Sequence, residues 1–309
     1  MTASNPLEVV LCGIRLDNPL VLASGVLGTT ASALAFVARQ GAGAVTTKSC
    51  SLAPRAGHPT PIVAPVAGGL LNAVGLSNPG ARAMADEIRA YRARCGVPVF
   101  ASVFGRDAAE FAEVTAILAE AEPDLVEVNV SCPNVASEFG TPFGADALAT
   151  ARIVEAVKAR AAGIPVSAKL TIAAPSLRAM ARACRDAGAD ALTAINTVGP
   201  GMAIEVRSRR PILSNREGGL SGPAVLPLAV RAIWEIAEAV DLPIVGTGGV
   251  ASASDALQMI LAGATAVGIG TAVWREGVGV FARIASGLAD HLAHERIGSL
   301  ADLEGAAHG

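Results

Sequence analysis

Short apolar segments alternate with alanine-rich segments of helical periodicity over nearly the whole chain of 309 residues. Eight apolar segments have the length of a buried strand, and several follow a glycine or proline that ends the preceding helix. The predicted strands span residues 20–24, 44–48, 97–103, 125–129, 165–170, 191–196, 243–246 and 266–270. The predicted helices span residues 31–40, 81–94, 108–121, 145–161, 176–187, 223–240 and 252–261. This alternation predicts an α/β fold built on a parallel sheet.

The number of strand–helix units favours a closed sheet. Eight buried strands that each precede a helix, within about 250 residues, are typical of a (β/α)8 TIM barrel. An open, doubly wound sheet is the alternative. No change in composition marks a linker, so residues 1–309 are predicted to form a single domain.

Two inserts interrupt the alternation, at residues 49–80 after the second strand and 197–222 after the sixth. Both are rich in Gly, Pro and Asn, and both follow the C-terminal end of a strand. In a barrel this face carries the active site, so we expect the inserts to contribute to it.

Composition excludes several classes of protein. A net charge of −3 without a basic block gives no electrostatic footprint for nucleic acid. No apolar run reaches the roughly 18 residues that a membrane span requires, and residues 1–10 lack the pattern of a signal peptide. The five cysteines are scattered and form no C-x-x-C pair, so we expect a cytoplasmic protein without disulfides or a metal site.

Polar residues follow the apolar strands where a barrel places its chemistry. Lys48 and Lys169 both lie at strand ends and are expected on the same face of the barrel. Two lysines there favour an anionic or electron-rich ligand over two structural cations. The loops 246–249 and 268–271 are glycine-rich and are typical of a barrel phosphate site, although tight turns alone would also require glycine. The predicted strand-end residues are Ser24, Lys48, Ser102, Asn129, Lys169, Asn196, Gly248 and Gly270.

Cys132 lies in the polar turn Asn129-Val-Ser-Cys-Pro-Asn134, directly after the fourth strand. A buried cysteine is usually a small apolar residue, but this polar setting favours a reactive thiol. The other four cysteines are interpreted as structural. None of the four histidines lies at a predicted strand end, so we expect cysteine, lysine or water to carry out any acid–base step.

At this point the chain resembles the dihydroorotate dehydrogenases of the soluble class 1 type, over nearly its whole length. The segments that carry the resemblance are Asn129-Val-Ser-Cys-Pro-Asn134, Asn72-Ala-Val-Gly-Leu-Ser-Asn-Pro-Gly80, Thr47-Lys-Ser49 and Gly218-Gly-Leu-Ser-Gly-Pro223. The segments Asn196-Thr-Val-Gly-Pro-Gly-Met202 and Arg210-Pro-Ile-Leu-Ser-Asn215 are similar to the class 1B branch in particular. The membrane-bound class 2 enzymes have an N-terminal hydrophobic extension and a serine base, and this chain is expected to have neither.

The resemblance implies a TIM-barrel flavin-binding domain with FMN as its cofactor. Lys169 would lie beside the pyrimidine end of the flavin, where a cation stabilises the negative charge of the reduced ring. At the end of the third strand the family often has asparagine, whereas this chain has Ser102. The family's flavin contacts correspond to Ala23, Ser24, Lys48, Ser49, Asn129, Lys169, Ile195, Gly222, Gly248, Gly249, Gly270 and Thr271.

The resemblance also implies the reaction, the oxidation of (S)-dihydroorotate to orotate in pyrimidine synthesis. Cys132 would take the C5 proton while the C6 hydride passes to FMN, with Lys48 helping to lower the pKa of the thiol. Amide side chains both donate and accept hydrogen bonds, which suits this ring and its carboxylate. The substrate contacts correspond to Lys48, Asn72, Ala73, Val74, Gly75, Leu76, Asn129, Asn134, Asn196 and Thr197.

The class 1B branch implies a partner and a final acceptor. The expected assembly is a homodimer of this chain with an electron-transfer subunit that carries FAD and a [2Fe–2S] cluster and passes electrons to NAD⁺. The alternatives are a dihydropyrimidine dehydrogenase-like enzyme acting on uracil or thymine, and a class 1A enzyme that uses fumarate. Less favoured are an aldolase with Lys169 as a Schiff-base amine and a barrel without catalytic activity.

Overall fold

A computed structural model describes residues 5–130, 144 and 146–309. Eight parallel strands form a closed barrel in chain order, which confirms the predicted (β/α)8 fold. The last strand pairs with the first and closes the sheet. The strands are β1 (Leu20–Leu22), β2 (Ala44–Thr46), β3 (Val99–Val103), β4 (Leu125–Asn129), β5 (Val166–Leu170), β6 (Ala191–Ala194), β7 (Ile244–Thr247) and β8 (Ala266–Ile269).

Helices connect consecutive strands around the outside of the barrel. Several begin at a side chain that accepts a hydrogen bond from the first turn, such as Thr30, Asp107 and Ser252. None of the helices in the described ranges has both the length and the apolar composition to cross a membrane. The helices are α1 (Ala31–Arg39), α2 (Ala81–Arg92), α3 (Ala108–Ala119), α4 (Ala147–Lys158), α5 (Leu177–Asp186), α6 (Leu226–Ala237), α7 (Ala253–Leu261), α8 (Thr271–Glu276) and α9 (Val280–Glu295).

The core lies between the barrel and the inner faces of these helices. Every residue of β3, β4 and β5 is buried, because the strands are covered by helices outside and by side chains within. This explains why the strands are continuous apolar segments rather than alternating ones. A polar residue inside such a strand, such as Glu127 of β4, must therefore be satisfied within the barrel.

The two inserts pair with each other across the C-terminal face. They form one antiparallel sheet with the strand order Val198–Met202, Glu217–Ser221, Gly69–Asn72 and Val63–Val66. The sheet has its own small apolar cluster of Ala64, Leu71, Ala73 and Leu213. Two further antiparallel pairs were not predicted: Val9–Leu11 with Ile14–Leu16, and Ile204–Glu205 with Arg210–Pro211.

Candidate functional site

A cavity of about 440 Å³ lies between the C-terminal ends of the barrel strands and the sheet formed by the inserts. Strand-end residues and glycine loops form its floor and sides. Val63, Leu70 and Leu220 of the inserts line it with apolar side chains. The sequence prediction that chemistry gathers at this face therefore agrees with the position of the cavity. All of the residues predicted to contact the cofactor line it: Ala23, Ser24, Lys48, Ser49, Asn129, Lys169, Ile195, Gly222, Gly248, Gly249, Gly270 and Thr271.

Most residues predicted to contact the substrate line the same cavity, namely Lys48, Asn72, Val74, Gly75, Leu76, Asn129, Asn196 and Thr197. Ala73 does not line it. Its side chain is fully buried in the small cluster of the insert sheet, because successive residues of an extended chain point to opposite sides. Its backbone N–H donates to Ile62 O at 2.8 Å and is also unavailable to a ligand. Cys132 and Asn134 lie outside the described residues.

The loops after β7 and β8 form one side of the cavity with exposed backbone donors. The N–H groups of Gly248, Gly249, Gly270 and Thr271 donate to no protein acceptor in the described part of the chain. Gly248 and Gly249 have φ values of +134° and +83°, which residues other than glycine rarely adopt. A Cβ at Gly249 would also come within 2.6 Å of the Leu226 nitrogen. Unpaired N–H groups held this way form a site for an anion such as phosphate.

A charged pair lies across the barrel from these loops. Lys169 Nζ is 3.5 Å from Glu127 Oε1, and both side chains are 6% exposed. Ser102 Oγ donates to the same carboxylate oxygen at 3.1 Å. Sequence reasoning missed Glu127 because it considered only the strand ends, although a glutamate inside the apolar strand LVEVN was a usable signal.

Hydroxyl and amide groups connect this pair to the cavity wall. Asn129 Nδ2 donates to Ser49 Oγ at 3.0 Å, and Ser49 Oγ lies 2.8 Å from Ser102 Oγ. Ser24 Oγ donates to Thr47 O at 2.8 Å and lies 3.3 Å from Ser49 Oγ. Ser102 is fully buried and does not line the main cavity. Ser102 therefore lies behind the cavity wall and forms its hydrogen bonds inside the protein.

The cavity also includes residues that no sequence pattern indicated. Trp274 and Arg275 lie on α8, and Trp274 is 57% exposed. Ser221 Oγ accepts a hydrogen bond from Thr271 Oγ1 at 2.8 Å, which joins the second insert to the loop after β8. These contacts depend on pairing between distant segments, for which the local pattern gives no signal.

Three of the four cysteines in the described part of the chain have thiols with raised pKa values. Burial raises the pKa of Cys50 and of Cys184 to about 12, and burial together with the nearby Asp190 raises the pKa of Cys12 to about 11. The thiolate is the basic and nucleophilic form, so these groups are inert near neutral pH. Cys95 is half-buried in the loop after α2.

The barrel and the residues that line its cavity together define a class of protein. A (β/α)8 barrel with a glycine-loop anion site, a lysine across the cavity and a ring of amide side chains is typical of an enzyme that binds a phosphate-bearing cofactor beside a small polar substrate.

Comparison with known proteins identifies the family. A model of the family described as dihydroorotate dehydrogenase matches residues 6–292. A protein of Methanothermobacter thermautotrophicus named dihydroorotate dehydrogenase B (NAD(+)), catalytic subunit, is 44% identical over 302 residues, covering 98% of each chain. Proteins of the same name from Methanocaldococcus jannaschii and Pyrococcus abyssi are each 42% identical, covering 98% and 97% of this chain and 98% and 99% of their own. The chain belongs to the dihydroorotate dehydrogenase family of flavin-dependent dehydrogenases, which confirms the resemblance found in the sequence.

Proposed function

We propose that this chain oxidises (S)-dihydroorotate to orotate in pyrimidine synthesis, as the catalytic subunit of an NAD⁺-linked dihydroorotate dehydrogenase with FMN as its cofactor. The observation that carries the proposal is a single cavity lined by the glycine loops, Lys169 and the amide side chains of Asn72, Asn129 and Asn196. Near-complete coverage by relatives named as catalytic subunits of this enzyme supports it further.

The residues of the cavity fit FMN at both of its polar ends. The four unpaired N–H groups after β7 and β8 suit the phosphate, and Lys169 suits the electron-rich end of the ring. Bound FMN would supply the hydride acceptor, which no side chain can provide. The protein's part is to hold the ring, to limit the access of water under the insert sheet, and to place a cation beside the ring.

The substrate would be held by side chains that can both donate and accept. Asn72 Nδ2 donates to Gly219 O at 3.2 Å, and Asn196 Oδ1 accepts from the Thr197 N–H at 2.9 Å. These contacts help to fix the orientation of the two amides at the cavity. Cys132 Sγ would then take the C5 proton, and Lys48 would contribute positive charge on the same face. Asn134 would complete the set of amides.

The proposed function is tested by the visible spectrum of the purified protein. We expect flavin absorbance, and we expect anaerobic dihydroorotate to bleach it. Dihydrouracil and dihydrothymine have the same oxidisable C5–C6 bond but lack the carboxylate that the site is proposed to bind, so they should leave the flavin bands unchanged. A colourless protein that takes up no FMN, or bleaching by a pyrimidine without the carboxylate, would contradict the proposal.

The anion site is tested by adding a side chain at Gly270. A Cβ there would meet only Ala23 Cβ, at 3.7 Å, so Gly270→Val keeps the fold but projects methyl groups beside the proposed phosphate. We expect FMN binding to weaken by a factor of about 10 to 100, as for the loss of hydrogen bonds to a charged group. Titration of apoprotein with FMN measures this.

Gly96→Val is the matched control, since Gly96 is exposed and a Cβ there meets nothing within 4 Å. Gly248 is a poorer position, because a Cβ there would lie 2.9 Å from Ala229 Cβ and would disturb packing. Equal FMN affinity in Gly270→Val and Gly96→Val would show that the phosphate lies elsewhere.

The assembly and compartment belong to the same proposal. We expect one domain over residues 1–309, a homodimer of this chain, and association with an electron-transfer subunit carrying FAD and a [2Fe–2S] cluster in the cytoplasm. The name of these relatives, the catalytic subunit of an NAD(+) enzyme, supports a separate partner. One continuous core, with buried residues from Leu7 to Leu300, supports a single domain.

A further inference from the structure

Glu127 lies behind Lys169, on the side away from the ligand cavity. Lys169 lines both the main cavity and a much smaller one of about 10 Å³ inside the barrel. Glu127 lines only the smaller one of these two. The register of β4 and β5 pairs Glu127 with Ser167 and Asn129 with Lys169, so the glutamate is one pleat deeper in the barrel than the lysine. A ligand in the main cavity would therefore contact Lys169 but not Glu127.

The carboxylate is held from a second direction by a chain of donors. Ser102 Oγ donates to Glu127 Oε1 at 3.1 Å, and Ser49 Oγ lies 2.8 Å from Ser102 Oγ. Asn129 Nδ2 donates to Ser49 Oγ at 3.0 Å, so this series of hydrogen bonds starts at the cavity wall and ends on the Glu127 carboxylate. Such a chain requires an acceptor at its end, which fixes the position of Glu127 and, through it, that of the Lys169 ammonium.

Charge on this pair affects whatever occupies the cavity. A buried charge is costly unless an opposite charge lies beside it, and here each side chain compensates the other. Seen from the cavity, the attraction of Lys169 for negative charge is reduced by the carboxylate behind it. If negative charge arises in the cavity when a bound flavin is reduced, Lys169 stabilises it and Glu127 opposes it from a greater distance.

We propose that Glu127 is a positioning residue that holds the Lys169 ammonium at the cavity wall, offsets part of its charge, and thereby sets the reduction potential of the flavin bound there. The inference rests on the proposed function, since it concerns a flavin in this cavity. It predicts that the effect of Glu127 is exerted through Lys169 rather than by contact with the flavin.

The reduction potential of bound FMN tests the inference without substrate. Glu127→Gln removes the charge but keeps the shape, so reduced FMN should bind about tenfold more tightly relative to oxidised FMN, a rise of about 30 mV for a two-electron couple. Glu127→Asp keeps a more distant charge and should shift the potential the same way by about half as many millivolts. Anaerobic reduction against a reference dye measures both.

Glu113→Gln is the matched control, because Glu113 is exposed on α3 and the substitution changes the net charge equally. We expect it to leave the potential unchanged. A potential in Glu127→Gln equal to that of Glu113→Gln, or lower than that of the unmodified protein, would overturn the inference while leaving the proposed function intact.

A double-mutant cycle on the apoprotein tests the pair without any flavin. Glu127→Gln and Lys169→Gln each leave a buried charge uncompensated, whereas the double variant leaves none. The double variant should therefore unfold in urea with an equilibrium constant at least about fivefold smaller than the product of the single effects predicts. A double variant that folds where Glu127→Gln does not would show the same coupling.

Additive effects in this cycle would overturn the inference. If the protein takes up no FMN, the proposed function and the redox part of the inference both fail. A coupled cycle would then still establish the charged pair, and the two failures remain distinguishable.

Discussion

Replacing Cys132 with alanine should slow the reduction of bound flavin by dihydroorotate by a factor of about 10² to 10⁴, the usual contribution of a general base. The proton at C5 must leave for the reaction to proceed, and alanine has no group to accept it. FMN should stay bound, because Cys132 is not among the residues proposed to hold it. Anaerobic stopped-flow mixing of the variant with dihydroorotate measures the rate directly.

Two further variants define what Cys132 does. Cys132→Ser should recover some rate at high pH, since a hydroxyl is a far weaker base than a thiolate. Cys184→Ala is the matched control, because Cys184 is fully buried on α5 and its pKa is raised to about 12 by burial. A normal rate in Cys132→Ala, or an equal loss in Cys184→Ala, would remove Cys132 as the base.

Cys132 lies outside the described residues, but β4, the strand that precedes it, ends at the cavity. Asn129 ends β4 and lines the cavity, and Cys132 is three residues further along the chain. The described chain continues to Val130 and includes Gly144, whose N–H donates to Val130 O at 2.9 Å. Val130 and Gly144 therefore lie together just beyond the C-terminal end of β4.

The barrel could be predicted from the sequence because its signals are local. A run such as LVEVN between a helical segment and a polar turn identifies a buried strand without knowledge of its neighbours, and β4 spans Leu125–Asn129 as predicted. Parallel strands bring their C-terminal ends to one face, so residues far apart in the chain, such as Lys48 and Lys169, were expected together. The order of the strands then followed from short connections.

The insert sheet could not be predicted, because its pairing joins segments that lie far apart in the chain. Gly219 pairs with Asn72, and no local pattern indicates which of many possible registers forms. For the same reason the resemblance assigned Ala73 to the substrate set together with its neighbours, although the register turns its side chain into the small cluster. Glu127 was missed for a different reason, since attention to strand ends overlooks polar groups inside a strand.

The second large effect concerns the electron acceptor that the isolated chain can use. The isolated chain should oxidise dihydroorotate with an artificial dye as acceptor but should reduce NAD⁺ poorly or not at all. Reduction of NAD⁺ needs a site for a dinucleotide, and no G-x-G-x-x-G fingerprint follows the first strand. Gly248 and Gly249, which follow β7, line the cavity that is proposed to hold FMN. The five scattered cysteines give no evident set of ligands for an iron–sulfur cluster that could relay electrons.

We therefore propose that a second chain brings a redox centre to the cavity. Adding an electron-transfer subunit that carries FAD and a [2Fe–2S] cluster should restore NAD⁺ reduction in a stable hetero-oligomer, measured by NADH absorbance and by size-exclusion chromatography. The partner alone with dihydroorotate and NAD⁺ is the control and should be inactive, because the proposed base and the proposed substrate amides belong to this chain. Efficient NAD⁺ reduction by this chain alone would contradict the need for a partner. Rapid turnover with fumarate alone would assign the chain to class 1A, because fumarate would then reoxidise the flavin directly in the cavity.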